Sequence, residues 1–481
     1  GRRVRSAPDR AGAGGHRGAD LVEWDEGLTA SLIRWIALLP LASALLHAAM
    51  IGLLRLQIAP RTVWLVSTLA VGVSFVLSAA SVFDLVGQDG AHAPIVDRVG
   101  PWLGGGVGVR NFSADLALRL DPLSAVCCVV VSSIALAVYL YVIGRIQGGA
   151  LAANQVHRLF ALLDLLVGST LVLLLADNLI LFFFGWTGVG VATQLVSSFD
   201  LESKKAARAG ATTFVVGRVG DLALLASILL LFDGLARSGA PALSFDGVLS
   251  AFRLLEGSQV ELPGWLGGGG FPLLELIVGG LVLAAITKCA QVPLHFWLNG
   301  ASQGPASATA LIQSATTVVA GCYGLLRLSF LLDHAPVSMA ILVGIGGCSI
   351  VLGGLAAATQ LDLKRVVASS TTASLGFVLV GIGLGAPSTA TFLLLSHAYA
   401  KAHWVLVLGV VQAARKGNTD LRQPGGLARS MRWTHAMAVI SGLAVVGVPP
   451  IGTFFAQEEL FAWLSLSVHS TVFVACTAAL G

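Results

Sequence analysis

Three cations fall inside long apolar runs of this chain, where a charge indicates chemistry rather than packing. Lys288 follows about a dozen uncharged, mostly apolar residues, and Arg218 and Lys401 lie in two other apolar runs. An intramembrane lysine costs roughly 2.5–3.5 kcal/mol on insertion scales, so it usually faces a polar cavity or a charged partner. The pattern predicts ion or proton handling within a membrane. The alternative is a loop from which Lys288 reaches the membrane surface.

Each buried cation has an ionisable neighbour at helical spacing. Arg218 and Asp221 are three apart, so they share a helical face and can pair. A lysine that is buried beside an acid can take up and release a proton. His397 and Lys401 are four apart on one face, and histidine titrates near neutral pH, so this pair can relay protons over one turn. A structural ion pair is the alternative for Arg218 and Asp221.

Two proline-rich interruptions break apolar runs that are otherwise typical of helices. Pro293 and Pro305 bracket the first interruption, and Pro449 and Pro450 form the second, about 160 residues later. Discontinuous helices are tolerated inside a membrane only where their freed backbone groups meet protein or water, as in ion pathways. Each break follows a helix with a buried charge, which predicts an internal repeat.

The elements that carry these residues are membrane helices. Hydrophobic residues make up 56% of the chain and charged residues 11%, so little length is available for a soluble domain. We predict an all-α polytopic membrane protein with about thirteen spans of roughly 20 residues. The spans are 32–54, 62–86, 121–144, 158–176, 179–198, 207–232, 273–297, 306–332, 336–359, 365–385, 389–414, 433–456 and 458–479.

Loop charge predicts how the chain is oriented. Lys and Arg concentrate in one alternate set of loops, which should therefore be cytoplasmic, and we expect a multi-pass protein of the cell inner membrane. Lys364 falls at such a helix start, where a membrane-surface anchor is a strong alternative to a functional role. Residues 1–30 carry five Arg on the opposite side and are expected to be a disordered or non-native tail.

Several other kinds of site are disfavoured. The six cysteines lie in apolar runs without a C-x-x-C pair, so we expect neither an iron–sulfur nor a zinc site. The glycine-rich run at 102–110 has no Walker lysine. The net charge of +4 reflects the loop bias and predicts no nucleic-acid partner.

Six stretches carry a resemblance to a known family. Together they resemble the antiporter-like membrane subunits of respiratory complex I, and within them the subunit L (chain 5) group; Mrp-type antiporter subunits and an inorganic-carbon transporter subunit belong to the same wider family. The stretches are ADNLILFFFGWTGVGVATQLVSSF at 176–199, FVVGRVGDLALL at 214–225, ITKCAQVPLHFWLNGASQGPASATALIQSATTVVAGCY at 286–323, DLKRVVASSTTASLGF at 362–377, SHAYAKA at 396–402 and GVPPIGTFFAQEEL at 447–460.

The resemblance implies a fold and a set of roles. It implies N-terminal helices and an external loop at 31–157, followed by two inverted five-helix repeats at 158–332 and 336–479. It implies proton half-channels joined by a central axis of charged residues. Lys288 matches the broken-helix lysine of the family, Arg218 and Asp221 its supporting pair, Lys364 the connecting lysine, and His397 with Lys401 the central relay.

Four positions depart from the family pattern, each by loss of an ionisable group. Thr187 stands where the family has glutamate in GWEGVG, and Gln313 and Leu393 stand where histidines are usual. Gln457 stands where a lysine is usual in the second broken helix. Each loss removes a group that could carry a proton along the presumed pathway, whereas membership of the fold is unaffected.

We therefore expect a proton-translocating subunit of an NADH-quinone oxidoreductase-type complex. It should move protons, with sodium as the alternative ion, while flavin mononucleotide, iron–sulfur clusters and quinone belong to partner subunits. No catalytic residue, metal or cofactor is expected in this chain; its partners are other membrane subunits and the lipid bilayer. The alternatives are a subunit of an inorganic-carbon transporter or Mrp-type cation/proton antiporter, and a degenerate structural homologue that conducts nothing.

Overall fold

A computed structural model describes residues 26–54, 56, 58–87, 94–149, 153–261, 268–423 and 425–466. Of the tail predicted at 1–30, residues 1–25 lie outside the described residues, and residues 26–30 are part of the first helix. The end of the predicted span 458–479 also lies outside them.

Four long helices form the N-terminal part. A capping box starts α3, because Asp121 accepts from the Ser124 backbone N–H and Ser124 Oγ accepts from that of Asp121, with Pro122 at the first helical position. The helices are α1 (Glu26–His47), continued by a π-helix (Ala48–Leu53), then α2 (Pro60–Gly87), α3 (Pro122–Gln147) and α4 (Ala153–Leu175).

The predicted repeats contain both long helices and interrupted ones. The middle part comprises α5 (Leu179–Ser197), α6 (Lys204–Arg237), α7 (Phe245–Ala251), α8 (Leu273–Lys288), α9 (Phe296–Ala301), α10 (Ala306–Ser314), α11 (Thr317–Arg327) and α12 (Ser329–Leu332). The last part comprises α13 (Pro336–Thr359), α14 (Leu363–Gly383), α15 (Pro387–Ala414), α16 (Leu427–Ser430), α17 (Arg432–Val446) and α18 (Gly452–Leu466). The repeat boundaries at 158–332 and 336–479 stay a prediction.

The helical membrane class is confirmed, but the count of thirteen spans is not. In the described part of the chain, ten segments are long and apolar enough to cross a membrane. The predicted span at 273–297 corresponds to the 16-residue α8, and those at 433–456 and 458–479 to the 15-residue α17 and α18. Helices α8 and α17 each end at an interruption, and this accounts for their short length; α18 reaches the end of the described residues at Leu466.

Two β-hairpins, which the sequence did not predict, lie in the loops. Strands β1 (Ile95–Gly105) and β2 (Phe112–Leu120) pair antiparallel, as do β3 (Gln259–Glu261) and β4 (Gly270–Pro272). The longer hairpin is held to α1 by the guanidinium of Arg34, which donates to both carboxylate oxygens of Asp97 at 2.6 and 2.8 Å. A bidentate pair of this kind fixes geometry as well as charge.

Close helix packing creates the interior that holds the site. Helix α8 packs between α6 and α11, and α15 packs against α10, α14 and α17. Helices α13 and α14 meet at Gly346 and Gly376, where a Cβ on either glycine would lie within 3 Å of the other's carbonyl oxygen. Small residues at membrane helix contacts permit this approach.

Candidate functional site

The ammonium of Lys288 is buried at the break between α8 and α9. The side chain is 3% exposed, and Nζ donates to the Trp186 carbonyl oxygen at 3.0 Å. Nζ also lies 3.5 Å from Asp221 Oδ1 and 5.1 Å from the centre of the Trp186 ring. The expectation that Lys288 meets an acid inside the protein agrees with this geometry, and the alternative of a surface loop does not.

The chain geometry explains why the helix stops at Lys288. Ala290 has φ of 52°, in the left-handed region that ends helices, and Pro293 follows. The carbonyl of Ala290, freed by the break, accepts from Thr372 Oγ1 at 3.0 Å, and the backbone N–H of Val292 donates to Ser349 Oγ at 3.0 Å. Helices α13 and α14 thus satisfy the groups that the break exposes.

Asp221 joins the charged groups of the first cluster. Its Oδ1 accepts from the indole N–H of Trp186 at 2.8 Å, and its Oδ2 lies 2.6 Å from Arg218 Nη2. The predicted pairing of Arg218 with Asp221 is therefore present. One carboxylate faces two cations, so the cluster carries one net positive charge when Lys288 is protonated and none when it is not.

Helix α5 leaves space for this cluster at a glycine. A Cβ on Gly190 would lie 2.8 Å from Lys288 Nζ and 3.3 Å from Arg218 Nη2. Thr187 lies about one turn before Gly190, so the two residues share one face of α5. Its hydroxyl donates to the carbonyls of Phe183 and Phe184, and so it is directed to its own helix.

A second cluster lies where α15 faces α10 and α14. Nε2 of His397 lies 3.1 Å from the Gln313 carbonyl oxygen, and Nζ of Lys401, which is fully buried, donates to Ser370 Oγ at 2.8 Å. The two side chains share one small cavity of about 20 Å³. The predicted relay pair is thus brought together, each member with its own partner on a neighbouring helix.

An unpredicted break supplies the acceptor for His397. Helix α10 ends at Ser314 and α11 begins at Thr317, and the Ala315 N–H, Thr316 N–H and Thr316 Oγ1 all donate to the Leu311 carbonyl. This arrangement frees the Gln313 carbonyl from its helical partner. The sequence feature that indicates this break is the hydroxyl-rich run at 314–317, because side-chain hydroxyls compete with the hydrogen bonds of a helix.

Buried polar side chains extend from the break beyond Lys288 to Gln313, whose backbone carbonyl faces His397. Gln291, three residues beyond Lys288, donates to the Thr372 carbonyl at 3.2 Å. The neighbouring Thr371 donates to Gln313 Oε1 at 3.2 Å, and Gln313 Nε2 donates to Ser302 Oγ at 2.8 Å. These side chains are buried. The sequence reasoning named Gln313 here but missed the roles of Trp186, Gly190 and the α14 hydroxyls.

Two of the departures line the cavity of the second cluster. Leu393 and Gln457 both face the space beside His397 and Lys401. Gln457 lies at the start of α18, just beyond the interruption at Pro449 and Pro450. An apolar and an amide side chain therefore occupy positions that contact the space between the titratable groups.

Lys364 lies at a different place from either cluster. Its Nζ donates to the Gly304 carbonyl at 3.2 Å, next to Pro305, which is the N-cap of α10. The side chain lines a cavity of about 550 Å³ together with Arg145 and Lys416. Both the connecting role and the anchoring role remain compatible with this position at the Lys- and Arg-rich ends of the helices.

Comparison with known proteins identifies one family. Residues 176–481 match the family described as NADH:quinone oxidoreductase/Mrp antiporter, TM. NADH-ubiquinone oxidoreductase chain 5 of Allomyces macrogynus is 32% identical over 85% of this chain and 60% of its own length. NADH-quinone oxidoreductase subunit L of Mycobacterium tuberculosis (strain CDC 1551 / Oshkosh) is 31% identical over 80% of this chain and 57% of its own length. The chain thus spans about three-fifths of these relatives.

Solved structures show the same fold. The Mrp complex from Dietzia sp. DQ12-45-1b contains a chain with a TM-score of 0.73 and 24% identity, matched over 94% of this chain and 45% of that one. The membrane-bound sulfane sulfur reductase, an archaeal respiratory membrane complex, contains one with a TM-score of 0.75 and 17% identity, matched over 93% and 86%. Both neighbours are parts of membrane complexes.

Proposed function

The chain belongs to the NADH:quinone oxidoreductase/Mrp antiporter transmembrane family, and we propose that it translocates protons as a subunit of an NADH-quinone oxidoreductase-type complex. Protons move between Lys288 and Lys401, driven by electron transfer in partner subunits that hold the flavin mononucleotide, iron–sulfur clusters and quinone. The complex resides in the cell inner membrane, where the chain is a multi-pass subunit.

One observation carries this proposal. Two buried lysines, 3% and 0% exposed, are accompanied by a series of polar side chains on α14. The series runs from Ser370, which accepts from Lys401, to Thr372, which donates to the Ala290 carbonyl two residues beyond Lys288. Loss of a proton from Lys288 removes the net charge of its cluster, so the protonation state of this lysine is tied to the Asp221 network. A series of this kind provides places for a proton to reside inside the membrane.

The first test replaces Lys288 in the complex reconstituted in lipid vesicles. We expect Lys288→Met to abolish proton flux, because Met fills the space but cannot bind a proton. The exposed Lys205→Met is the control for loss of a lysine elsewhere and should leave the flux unchanged. Unchanged flux in Lys288→Met would rule the assignment out.

A second variant tests the same site without removing the lysine. Gly190→Ala places a methyl group against Nζ, so the ammonium must move, and we expect a lower flux. Gly344→Ala is matched to it, because a Cβ there meets nothing within 4 Å. Equal flux in the two variants would contradict a role for the position of Nζ.

The second candidate function is a structural subunit that conducts nothing. It is favoured by the uncharged side chains at Thr187, Gln313, Leu393 and Gln457, two of which line the cavity beside Lys401. The two functions differ in one readout. Lys288→Met leaves flux unchanged if the chain is structural, and it abolishes flux if the chain conducts.

A further inference from the structure

A buried carboxylate lies in the N-terminal helices, apart from both clusters. Asp164, on α4, is fully buried. Its Oδ2 accepts from Ser43 Oγ and Ser67 Oγ at 2.6 Å each, and its Oδ1 accepts from Tyr139 Oη at 2.6 Å. Each of the helices α1 to α4 thus supplies at least one side chain, so all four helices contribute to one buried polar group.

A histidine completes the group. Nδ1 of His47 lies 3.4 Å from Asp164 Oδ2, and this nitrogen has no hydrogen-bond partner although the side chain is only 3% exposed. His47 is the last residue of α1, and the π-helix begins directly after it. Short π-helical turns occur frequently at functional sites.

The net charge of Asp164 and His47 together is zero when the pair carries one proton. In the described part of the chain, the basic side chain within ion-pair distance of Asp164 is His47, which is a cation only when its imidazole is protonated. A buried carboxylate without a counter-charge is costly, and one proton, on either the carboxylate or the imidazole, makes the pair neutral overall. The proton therefore belongs to the pair rather than to one residue.

Other charged groups on these helices are farther away. Helix α5 has no charged residue, and Arg327 of α11 pairs with Asp121 instead. The remaining ionisable residues other than cysteines and tyrosines lie at least six positions along the helix from the residue that contacts Asp164; they are Glu26, Arg34, Arg61, Asp84, Arg145, His157 and Arg158. Tyr139 and Tyr141 are the nearby phenols, and Tyr139 alone bonds to Asp164.

The basic cavity offers a route for exchange. The cavity of about 550 Å³ is lined by Val142, one turn beyond Tyr139, and by Leu159, five residues before Asp164. About one helical turn therefore separates the cavity from the buried pair. Lys364, Arg145 and Lys416 line the same space, which places it at the Lys- and Arg-rich side of the helices.

We propose that Asp164 and His47 form a proton-binding site that holds one exchangeable proton and fills from this cavity. Ser43, Ser67 and Tyr139 orient the carboxylate by hydrogen bonds. The site lies outside the series of groups between Lys288 and Lys401, so the inference goes beyond the proposed function and does not depend on it.

Infrared difference spectroscopy of the purified complex tests the site. We expect a protonated-carboxyl band that shifts on exchange into D₂O, changes with the pH of the medium, and disappears in Asp164→Asn. His47→Gln keeps hydrogen-bonding ability but not charge and should move the midpoint by about one pH unit. Asp84→Asn, on α2, is the control and should leave the band intact.

Three outcomes would overturn the inference. The first is a spectrum in which Asp164→Asn changes no carboxyl band and His47→Gln changes no imidazole band at any pH, which means a pair that holds no exchangeable proton. The second is a band that never titrates, which means a permanently protonated one. The third is a band removed by sodium at constant pH, which assigns the site to a metal cation.

Two further measurements separate the possible failures. The wild-type titration and His47→Gln still decide the question if Asp164→Asn does not fold. The band should also persist in Lys288→Met, so a failure of the proposed proton axis remains distinguishable from a failure of this site.

Discussion

At the scale of single residues, the decisive feature is that two cations approach the one carboxylate of Asp221. Arg218 and Lys288 both approach its carboxylate, while Thr187, at the start of the same α5 face as Gly190, contributes only a hydroxyl. A second acid at this position would neutralise the fully protonated cluster. The identity of residue 187 therefore sets how firmly Lys288 retains its proton.

We predict that Thr187→Glu shifts the pH profile of proton flux to higher pH. The added carboxylate stabilises the charged form of Lys288, so release of the proton requires more alkaline conditions. The Gln side chain has nearly the size of Glu but no charge, so the pH profile of proton flux in Thr187→Gln should match that of the wild type. Flux is measured in vesicles over a pH series, and identical profiles for the Glu and Gln variants would contradict the charge argument.

The sequence identified the charged residues that are unusual inside apolar runs, but it did not identify the residues that bind and orient them. Charges inside apolar runs identified Lys288 and Lys401, because a charge at such a position is costly and rarely serves packing alone. Arg158, six residues before Asp164 on α4, donates to the Phe199 carbonyl and lies over the Phe199 ring, so it is not the partner of Asp164. Residues six apart point to different sides of a helix, whereas those three or four apart are neighbours.

At the scale of elements, the breaks with prolines were predictable and the others were not. Pro293 and Pro449 mark two interruptions, since proline removes a backbone donor. The break between α10 and α11 contains neither proline nor glycine, and it depends on hydrogen bonds to Leu311 that only the folded chain shows. The sequence predicts only an external segment where β1 and β2 form a hairpin, because long-range pairing leaves a weak local signal.

Asp121 ties two of these elements together outside the apolar runs. It caps α3 and pairs with Arg327 at the end of α11. Burial raises the pKa of Asp121, and the charge of Arg327 with the hydrogen bonds from Ser124 lowers it by more, so the pKa lies below its ordinary value. The ionised form is therefore the one that stabilises the fold.

We predict that Asp121→Asn destabilises the protein by about 3 kcal/mol near neutral pH, because Asn can still cap the helix but leaves the buried Arg327 without a counter-charge. The stabilisation by a group of lowered pKa is present above its unfolded value and is lost as the pH falls through the folded one. The difference in melting temperature between wild type and variant should therefore shrink in acid. Asp115→Asn, on β2, is the control, and a pH-independent difference would contradict the ionic contribution.

At the scale of the whole molecule, much of the apolar surface faces outward. Helix α2 exposes large apolar side chains, among them Leu65, Leu69, Val76 and Phe83. Such surfaces are stable against lipid or against another membrane subunit, and composition predicted them correctly as a class. Which neighbour covers each face is not encoded in a pattern of single residues, since lipid tails and apolar helices present similar surfaces.

The assembly itself is the last prediction. The chain is purified from its own membranes in mild detergent, and mass spectrometry of the proteins that co-purify should find flavin and iron–sulfur subunits. The same preparation should show NADH:quinone activity in an enzyme assay. The reason is that, in the proposed mechanism, the buried lysines store and pass protons while the energy comes from electron transfer in other subunits. A preparation lacking the chain through a specific deletion is the control for carry-over of other complexes. A single large soluble partner without NADH activity would instead favour an inorganic-carbon transporter, because the proton path would then be driven by an existing gradient.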